Sequence, residues 1–210
     1  MYKRQPHYHL GCGPILAEGF LNIDGDFGWV PQAVRADEVH RLQDRPKAPF
    51  IQYDLRLGIP AAPGSLQTVY HSHFLEHLTE DEGIAFLADC HTVLAPGGLM
   101  RLALPDFELW CRRYAEGDQK FFDWYRKAYL GDDRRKYATR AAIFAGMLYN
   151  WGHRCAYDFD SLSARLRDAG FRDIERCAWG SSRQRDFPPA VEGPEDGRAV
   201  ESLVVECRKP

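Results

Sequence analysis

Two glycines separated by one small side chain stand near the start of the chain, and a carboxylate follows them. Gly11-Cys12-Gly13 comes directly after a short alternating run, His7 to Leu10, which is typical of a strand. Glycines in such a turn can take a positive φ and let a ligand approach the backbone closely. The next apolar run ends at Asp24, and a carboxylate at the end of a second strand can accept both hydroxyls of a ribose. This spacing indicates a nucleoside site, although a Gly-x-Gly turn alone is common in loops.

Other candidate site residues follow the ends of further predicted strands. They are Asp54 and Leu55 after a strand at 50–53, Ser72 and His73 after a strand at 68–71, and Asp106 after a strand at 99–104. The carboxyl ends of parallel strands meet at one edge of a sheet. We therefore expect these residues to lie around the same crevice as the glycine turn.

The segments between the strands carry helix signals. Thr79 and Glu82 have the spacing of a capping box, and apolar residues recur at helical spacing behind them, which predicts a helix from about 79 to 94. Two more helices are predicted, one at 34–42 and one at 158–169 that is capped by Asp160 or Ser161. Alternation of strands with helical connections predicts an α/β fold with a mostly parallel sheet.

The chain changes character after the fifth strand. Aromatic and basic residues interleave over 107–152, which predicts two or three helices that cap the active edge of the sheet; the aromatic residues also fit a role as the cap's own core. Two strands at 171–179 and 201–207 follow each other without a helix, so an antiparallel strand should finish the sheet. We interpret residues 1–210 as one domain with the cap inserted after strand five.

The charge, the cysteine pattern and the apolar runs of the chain argue against several classes of function. The formal net charge is −3, which gives no basic field for nucleic acid. The six cysteines are scattered without a Cys-x-x-Cys pair, which indicates a reducing compartment and no disulfide framework. No apolar run is long enough for a membrane span or a signal peptide. We expect a soluble cytoplasmic protein.

Five motifs in order resemble the class I S-adenosylmethionine-dependent methyltransferases. They are Leu10-Gly11-Cys12-Gly13, Asp24, Asp54-Leu55, the stretch SHFLEHL at 72–78, and LAPGG at 94–98, with a late helix that ends in Ala-Gly-Phe at 169–171. The resemblance covers roughly residues 7–106 and 153–207. It implies a Rossmann-like seven-stranded sheet whose strand seven is antiparallel, with S-adenosylmethionine as the cofactor and a small molecule as the methyl acceptor.

The chain departs from this family in its first connection. The family usually places a full helix between the glycine turn and strand two, whereas Pro14 to Gly19 leaves room for about one turn. The stretch GFLNID at 19–24 is similar to a short-looped branch of predicted methyltransferases of small metabolites or surface-polysaccharide precursors. That likeness implies O- or N-methylation of a polar metabolite or saccharide.

The resemblance also implies roles for individual residues. Gly11, Cys12 and Gly13 would contact the methionyl part of the cofactor, Asp24 the ribose, Asp54 and Leu55 the adenine, and Ser72 and His73 the region of the sulfonium. A hydroxyl acceptor needs a general base, for which His73, His77 and His153 are the candidates, with Asp106 as a carboxylate option at the end of strand five. On this interpretation no metal is assigned.

Other functions remain open at this point. His71, His73, Glu76 and His77 resemble the His-x-His-x-Asp-His zinc site of metallo-β-lactamase-type hydrolases, with one extra residue and Glu in place of Asp. A methyltransferase-like domain without catalysis, acting as a binding module, is a second alternative. A nucleotide-sugar or NAD enzyme is a third, since Asp24 would serve its ribose too. No Asn-Pro-Pro-Tyr-type tetrad follows strand four, which disfavours a nucleic-acid substrate.

Overall fold

A single mixed sheet carries the site. The computed structural model describes residues 7–25, 47–183, 191–193 and 196–210. Its strands are β1 His7–Leu10, β2 Leu21–Asp24, β3 Phe50–Gln52, β4 Leu66–Ser72, β5 Leu94–Pro105, β6 Arg172–Cys177 and β7 Ser202–Arg208. They form one seven-stranded sheet with the order β3-β2-β1-β4-β5-β7-β6, in which β1 to β5 pair in parallel and β7 is antiparallel to both neighbours. The α/β sheet with an antiparallel last strand, predicted from the sequence, is confirmed.

Five helices connect or cover the described strands. They are α1 Glu80–Val93, α2 Phe107–Ala115, α3 Gln119–Tyr129, α4 Arg140–Tyr149 and α5 Phe159–Asp168. The predicted helix at 34–42 lies outside the described residues. Of the helices that the structure describes, none combines the length and the apolar character that crossing a membrane requires.

The helix starts follow the local capping chemistry. Thr79 and Glu82 form the predicted capping box at the start of α1. The predicted cap of α5 is wrong by a few residues, because Asp158 caps the helix. Its Oδ1 accepts a hydrogen bond from the Ser161 backbone N–H at 2.8 Å, and the Ser161 hydroxyl accepts one from the Asp158 N–H at 3.1 Å. A reciprocal pair of this kind satisfies two of the donors that a helix start leaves free.

The fifth strand begins earlier than the sequence predicts. The sequence predicts a helix to about 94 and a strand at 99–104, but β5 already begins at Leu94 and pairs there with Leu66. The register then shifts, so that Thr68 pairs with Leu99, and the extra residues bulge out of the ladder. Strand β6 begins one residue later and ends two residues earlier than the predicted range 171–179, and β7 is shifted by one residue from 201–207.

The sheet and the cap, which consists of α2, α3 and α4, each have their own apolar cluster. Helices α1 and α5 share the main core with the strands through residues such as Phe86, Leu87, Leu162 and Leu166. Helices α2, α3 and α4 pack around a second cluster centred on the fully buried Trp110. The Trp110 indole N–H donates to Glu201 Oε2 at 3.1 Å, which links the cap to the residue before β7.

A buried ion cluster fastens the described part of the loop before β7. Arg101 on β5 has no exposed surface, and its guanidinium donates to Glu206 Oε1 at 2.9 Å on the facing strand. The same group donates to both carboxylate oxygens of Glu192, at 2.8 and 2.5 Å. Bidentate pairing fixes geometry as well as charge. The loop that carries Glu192 is therefore tied to the sheet.

The short connection between β1 and β2 is held by one amide side chain. Asn22 on β2 is fully buried, and its Oδ1 accepts from the Ala17 N–H at 2.8 Å while its Nδ2 donates to the carbonyl of Ala17 at 3.1 Å. Nδ2 also lies 3.2 Å from each of the Phe20 and Pro49 carbonyl oxygens. The imidazole Nδ1 of buried His9 lies 3.1 Å from Oδ1. Asn22 thus supplies the partners that a helical connection would have supplied itself.

Replacing this amide by an apolar group of similar size should destabilise the fold. In Asn22→Leu the Ala17 N–H and the carbonyls of Phe20 and Pro49 lose a buried partner, and we expect a loss of about 3 kcal/mol in the free energy of unfolding. Urea titration followed by circular dichroism measures it. Gln67→Leu, at an exposed position of β4, is the matched control and should change stability little; equal losses in both variants would contradict the role of Asn22.

Candidate functional site

A cavity of about 300 Å³ lies at the carboxyl ends of the central parallel strands. Three connections that follow strands β1, β2 and β4 contribute to its wall. The sequence-predicted residues found there are Gly11, Cys12, Gly13, Asp24, Ser72 and His73, together with His153 from the chain after the cap. The expected crevice at the strand ends therefore exists, and most of the predicted residues line it.

The two glycines of the turn are needed for different reasons. Gly11 and Gly13 have φ of +60° and +51°, a region in which residues with a Cβ are strained. A Cβ on Gly11 would also lie 2.3 Å from Cδ2 of Phe74, whereas a Cβ on Gly13 would have no atom within 4 Å. Gly11 lets the turn pack against the segment after β4, and Gly13 presents bare backbone to the cavity.

The carboxylate of Asp24 stabilises this turn by accepting backbone hydrogen bonds. Its Oδ2 accepts a hydrogen bond from the Gly13 N–H at 2.5 Å, and its Oδ1 accepts one from the Gly25 N–H at 2.7 Å. Burial raises the pKa of Asp24, while the two backbone hydrogen bonds work in the opposite direction. Each carboxylate oxygen keeps a lone pair for a ligand donor in the cavity.

His73 occupies a strained backbone position at the end of β4. Its φ is +52°, which is uncommon for a residue with a side chain and is found preferentially at functional sites. The imidazole Nε2 lies 2.8 Å from the Ser202 hydroxyl, and Nδ1 lies 3.4 Å from Glu76 Oε1. Burial holds the pKa of His73 well below its usual range, so the ring is neutral.

The outer wall consists of residues that the sequence analysis did not single out as site residues. They are Tyr125 and Tyr129 from the cap, Trp151 after it, and Arg198 and Glu201 before β7. Arg198 donates to the Ser72 hydroxyl at 3.1 Å and is paired with Asp196, and burial raises the pKa of Glu201 to about 8. The sequence contains a signal for Arg198 and Glu201. Both residues precede a strand that is predicted to be antiparallel, and such a strand begins at the edge of the sheet where the parallel strands end.

Two histidines meet at the inner side of the cavity. The rings of His77 and His153 lie with their centroids 4.7 Å apart in an edge-to-face arrangement. Burial lowers the pKa of His77 to about 3 and that of His153 to about 4. Both imidazoles are therefore neutral at pH 7, and each keeps one nitrogen lone pair.

Three predicted site residues have structural roles and do not line the cavity. Asp54 caps the 3₁₀ turn Leu55–Leu57 by accepting from the Arg56 N–H at 3.0 Å, and the Arg56 side chain, through its hydrogen bond, lowers the pKa of Asp54. Leu55 is buried in the main core. Asp106 caps α2 by accepting from the Leu109 N–H at 3.1 Å. The adenine role of Asp54 and Leu55 and the catalytic role of Asp106 stay predictions.

The hydrolase-type quartet is not assembled. His71 is fully buried on β4, where its ring packs edge-on against Phe86 at 5.2 Å between centroids. Residues two apart on a strand face the same side of the sheet, but His73 lies beyond the last residue of β4, so this rule does not place its imidazole beside that of His71. Among the described residues, the group whose donor atoms could surround one metal ion is Glu76, His77 and His153. The alternative that uses His71 is therefore wrong.

Comparisons with known proteins identify the fold. No protein-family model and no curated protein sequence match the chain. Solved structures do match. The chain aligns over 97% of its length with the S-adenosylmethionine-dependent methyltransferase SibL, at a TM-score of 0.53 and 15% identity, and covers 50% of that protein. The chain also aligns over 97% of its length with a methyltransferase from Archaeoglobus fulgidus, at a TM-score of 0.54 and 13% identity, and covers 85% of that chain.

A third solved structure contains bound S-adenosyl-L-methionine. Phosphoethanolamine N-methyltransferase 2 of Haemonchus contortus, in complex with S-adenosyl-L-methionine, matches all of the chain at a TM-score of 0.58 and 12% identity. The chain spans half the length of this enzyme, as it does for SibL. Identities this low establish the common fold and leave the activity to the site's own geometry.

The two glycines of the turn should respond differently to the same substitution. Gly11→Ala and Gly13→Ala each add about 1–2 kcal/mol of left-handed backbone strain, and Gly11→Ala additionally forces Phe74 to move, at about 1–3 kcal/mol more. Urea unfolding of the two variants measures the difference, with Gly13→Ala as the matched control for Gly11→Ala. Equal destabilisation would show that the turn and Phe74 are not packed as described.

Proposed function

We propose that this chain, which has the fold of the class I S-adenosylmethionine-dependent methyltransferases, binds S-adenosylmethionine in the cavity and transfers its methyl group to a small polar acceptor. One observation carries the proposal. The glycine turn, the Asp24 carboxylate and the Ser72-His73 pair come from three different strand ends and line the same cavity. The cofactor supplies the reactive methyl group, and the protein supplies binding and orientation.

Each part of the cavity supports a part of this cofactor. The bare backbone at Gly13 can approach the methionyl portion, and the Asp24 carboxylate can accept the ribose hydroxyls. A positively charged sulfonium is compatible with its surroundings, because burial keeps the pKa of His73 low and the ring neutral. The aromatic faces of Tyr125 and Tyr129 add favourable surroundings for a cation.

Methyl transfer then needs little further chemistry from the protein. A lone pair on the acceptor oxygen or nitrogen forms a bond to the methyl carbon, the carbon–sulfur bond breaks, and sulfur keeps the electron pair in S-adenosylhomocysteine. Positioning donor and acceptor in line is the main catalytic contribution. The acceptor's proton passes to a base, and His153 offers a neutral imidazole to the cavity for that step.

The size and composition of the outer wall support a small acceptor. The wall combines three aromatic side chains with the ionisable groups of Arg198 and Glu201. The cavity of about 300 Å³ has to hold the cofactor as well, which leaves room for a small acceptor only. A hydroxylated or amine-bearing metabolite fits this description.

Removing the Asp24 carboxylate should weaken cofactor binding. We expect Asp24→Ala to raise the dissociation constant of S-adenosylhomocysteine at least tenfold, about 1.4 kcal/mol, because the ribose loses its acceptor and the Gly13 N–H loses its partner. Isothermal titration calorimetry measures the affinity. Asp168→Ala, an exposed carboxylate on α5, is the matched control.

The same titration separates the alternatives. Unchanged affinity in a folded Asp24→Ala protein would remove Asp24 from the site. Binding of NAD⁺ without binding of S-adenosylmethionine would favour a dinucleotide enzyme. Absence of heat with either ligand at millimolar concentration would favour a binding module that takes no nucleoside cofactor.

Removing the His153 imidazole should slow transfer and spare cofactor binding. We expect His153→Ala to lower the rate of methyl transfer about 100-fold, because the imidazole that takes the acceptor's proton is lost. The affinity for S-adenosylhomocysteine should change less than twofold. Transfer is measured with tritium-labelled S-adenosylmethionine and a panel of hydroxylated and amine-bearing metabolites. An undiminished rate would make His153 a structural residue.

A further inference from the structure

Three metal-ligating side chains meet beside the proposed cofactor cavity. Glu76, His77 and His153 each bring one donor atom to a group in which all donor atoms lie within 4.8 Å of one another. Glu76 and His77 belong to the 3₁₀ turn Leu75–His77 that follows β4, and His153 lies on the chain that returns from the cap. Methyl transfer as proposed above makes no use of such a set.

The backbone fixes the two segments against each other. The carbonyl oxygen of Glu76 accepts hydrogen bonds from the Arg154 N–H at 2.8 Å and from the Cys155 N–H at 3.1 Å. These contacts hold the residue after His153 directly against the turn that carries Glu76. The three donors are therefore positioned by main-chain contacts before any ligand binds, as a binding site requires.

Glu76 is the member of this group whose burial is least accounted for by its contacts with other described residues. Its side chain is 2% exposed, and neither carboxylate oxygen accepts a hydrogen bond from another described residue, although the backbone N–H of Glu76 itself favours the charged form. The imidazole Nδ1 of His73 lies 3.4 Å from Oε1. Burying a carboxyl group without a partner is costly, and native structures normally pair such a group or place it on a metal. Burial accordingly raises the pKa of Glu76 to about 8.

The two imidazoles are in the form that binds metals. Hydrogen bonds to the backbone of Met147 for His153, and of Gly152, Trp151 and His73 for His77, raise the pKa of these rings against the larger lowering by burial. Hydrogen bonds that raise a histidine pKa are donated by the ring, so one N–H of each neutral imidazole points to a carbonyl. The other nitrogen then carries the lone pair. Backbone carbonyls orient metal-ligating histidines in the same way.

We propose that Glu76, His77 and His153 bind one divalent transition-metal cation of the zinc type, with an open coordination position toward the cavity. Two imidazole nitrogens and one carboxylate match the donors of catalytic zinc sites, which keep a further position for water or substrate. Mg²⁺ and Ca²⁺ prefer oxygen ligands only. The open position faces the cavity because His77 and His153 both line it. This assignment replaces the expectation of no metal.

The position of the site restricts the acceptor class. A cation beside the cofactor cavity would take an acceptor oxygen as its next ligand, which favours hydroxylated acceptors over amines. This consequence rests on the proposed methyltransferase function, whereas the metal site itself does not. His153 then holds the cation, in place of the proton-accepting role, and the acceptor's proton leaves to solvent water.

Calorimetry on the chelator-treated full chain tests the site. Zn²⁺ alone is the probe, and one Zn²⁺ per chain is expected. Glu76→Gln and His153→Gln should each weaken Zn²⁺ binding at least tenfold, while His91→Gln, a histidine on α1 away from the group, should leave it unchanged. Co²⁺ should give visible absorption bands that are lost in the first two variants and kept in the third. Circular dichroism and the affinity for S-adenosylhomocysteine check that each variant is folded.

Either of two results would overturn the proposal: no Zn²⁺ binding by the wild-type chain, or equal binding by all three variants. Failure of the metal site is distinct from failure of the proposed function. S-adenosylhomocysteine binding without site-dependent Zn²⁺ binding removes the metal and leaves the methyltransferase. Site-dependent Zn²⁺ binding without any binding of S-adenosylhomocysteine or S-adenosylmethionine leaves the metal site and removes the methyltransferase.

Discussion

The cavity depends on two polar side chains of β2 that hold a connection too short for a helix. Asn22 and Asp24 lie two residues apart on one strand and so face the same side of the sheet. Asn22 bonds the backbone of the connection near Ala17, and Asp24 bonds the N–H of Gly13. In most α/β folds the helix after the first strand satisfies its own backbone. Here the strand supplies those partners, and the glycine turn is positioned by side chains.

Burial, more than ion pairing, sets the charge of the cavity. The pKa of His77 and of His153 falls to about 3 and about 4, and the pKa of Glu76 and of Glu201 rises to about 8. Near neutral pH the histidines are therefore uncharged and both carboxyl groups are largely protonated. A cation that enters, whether a sulfonium or a metal, meets no positive histidine, and it can restore the carboxylate charge that burial suppresses.

The sequence predicts the parts of the site that local patterns determine. Gly11, Asp24 and His73 follow apolar runs, and parallel strand ends must meet at one edge, so their convergence could be predicted. Glu201 follows no parallel strand. Its place at the cavity follows from the antiparallel direction of β7, which the sequence also predicts, but no local motif marks Glu201 as a site residue. For Asp54, a ligand role and a turn-capping role produce the same sequence pattern, and the local hydrogen bond to Arg56 appears only in the structure.

The division between sheet and cap has a consequence for specificity. The strand ends contribute the glycine turn and Asp24 to the cavity wall, whereas Tyr125 and Trp151 come from the cap and the segment after it. The Trp151 indole donates to the Tyr125 hydroxyl at 3.2 Å, so this part of the wall is internally connected. Loops and insertions on a constant sheet change more readily than strand ends. On the proposed function, the cap is therefore the part of the chain that would select the acceptor, and the strand ends are the part that would bind the cofactor.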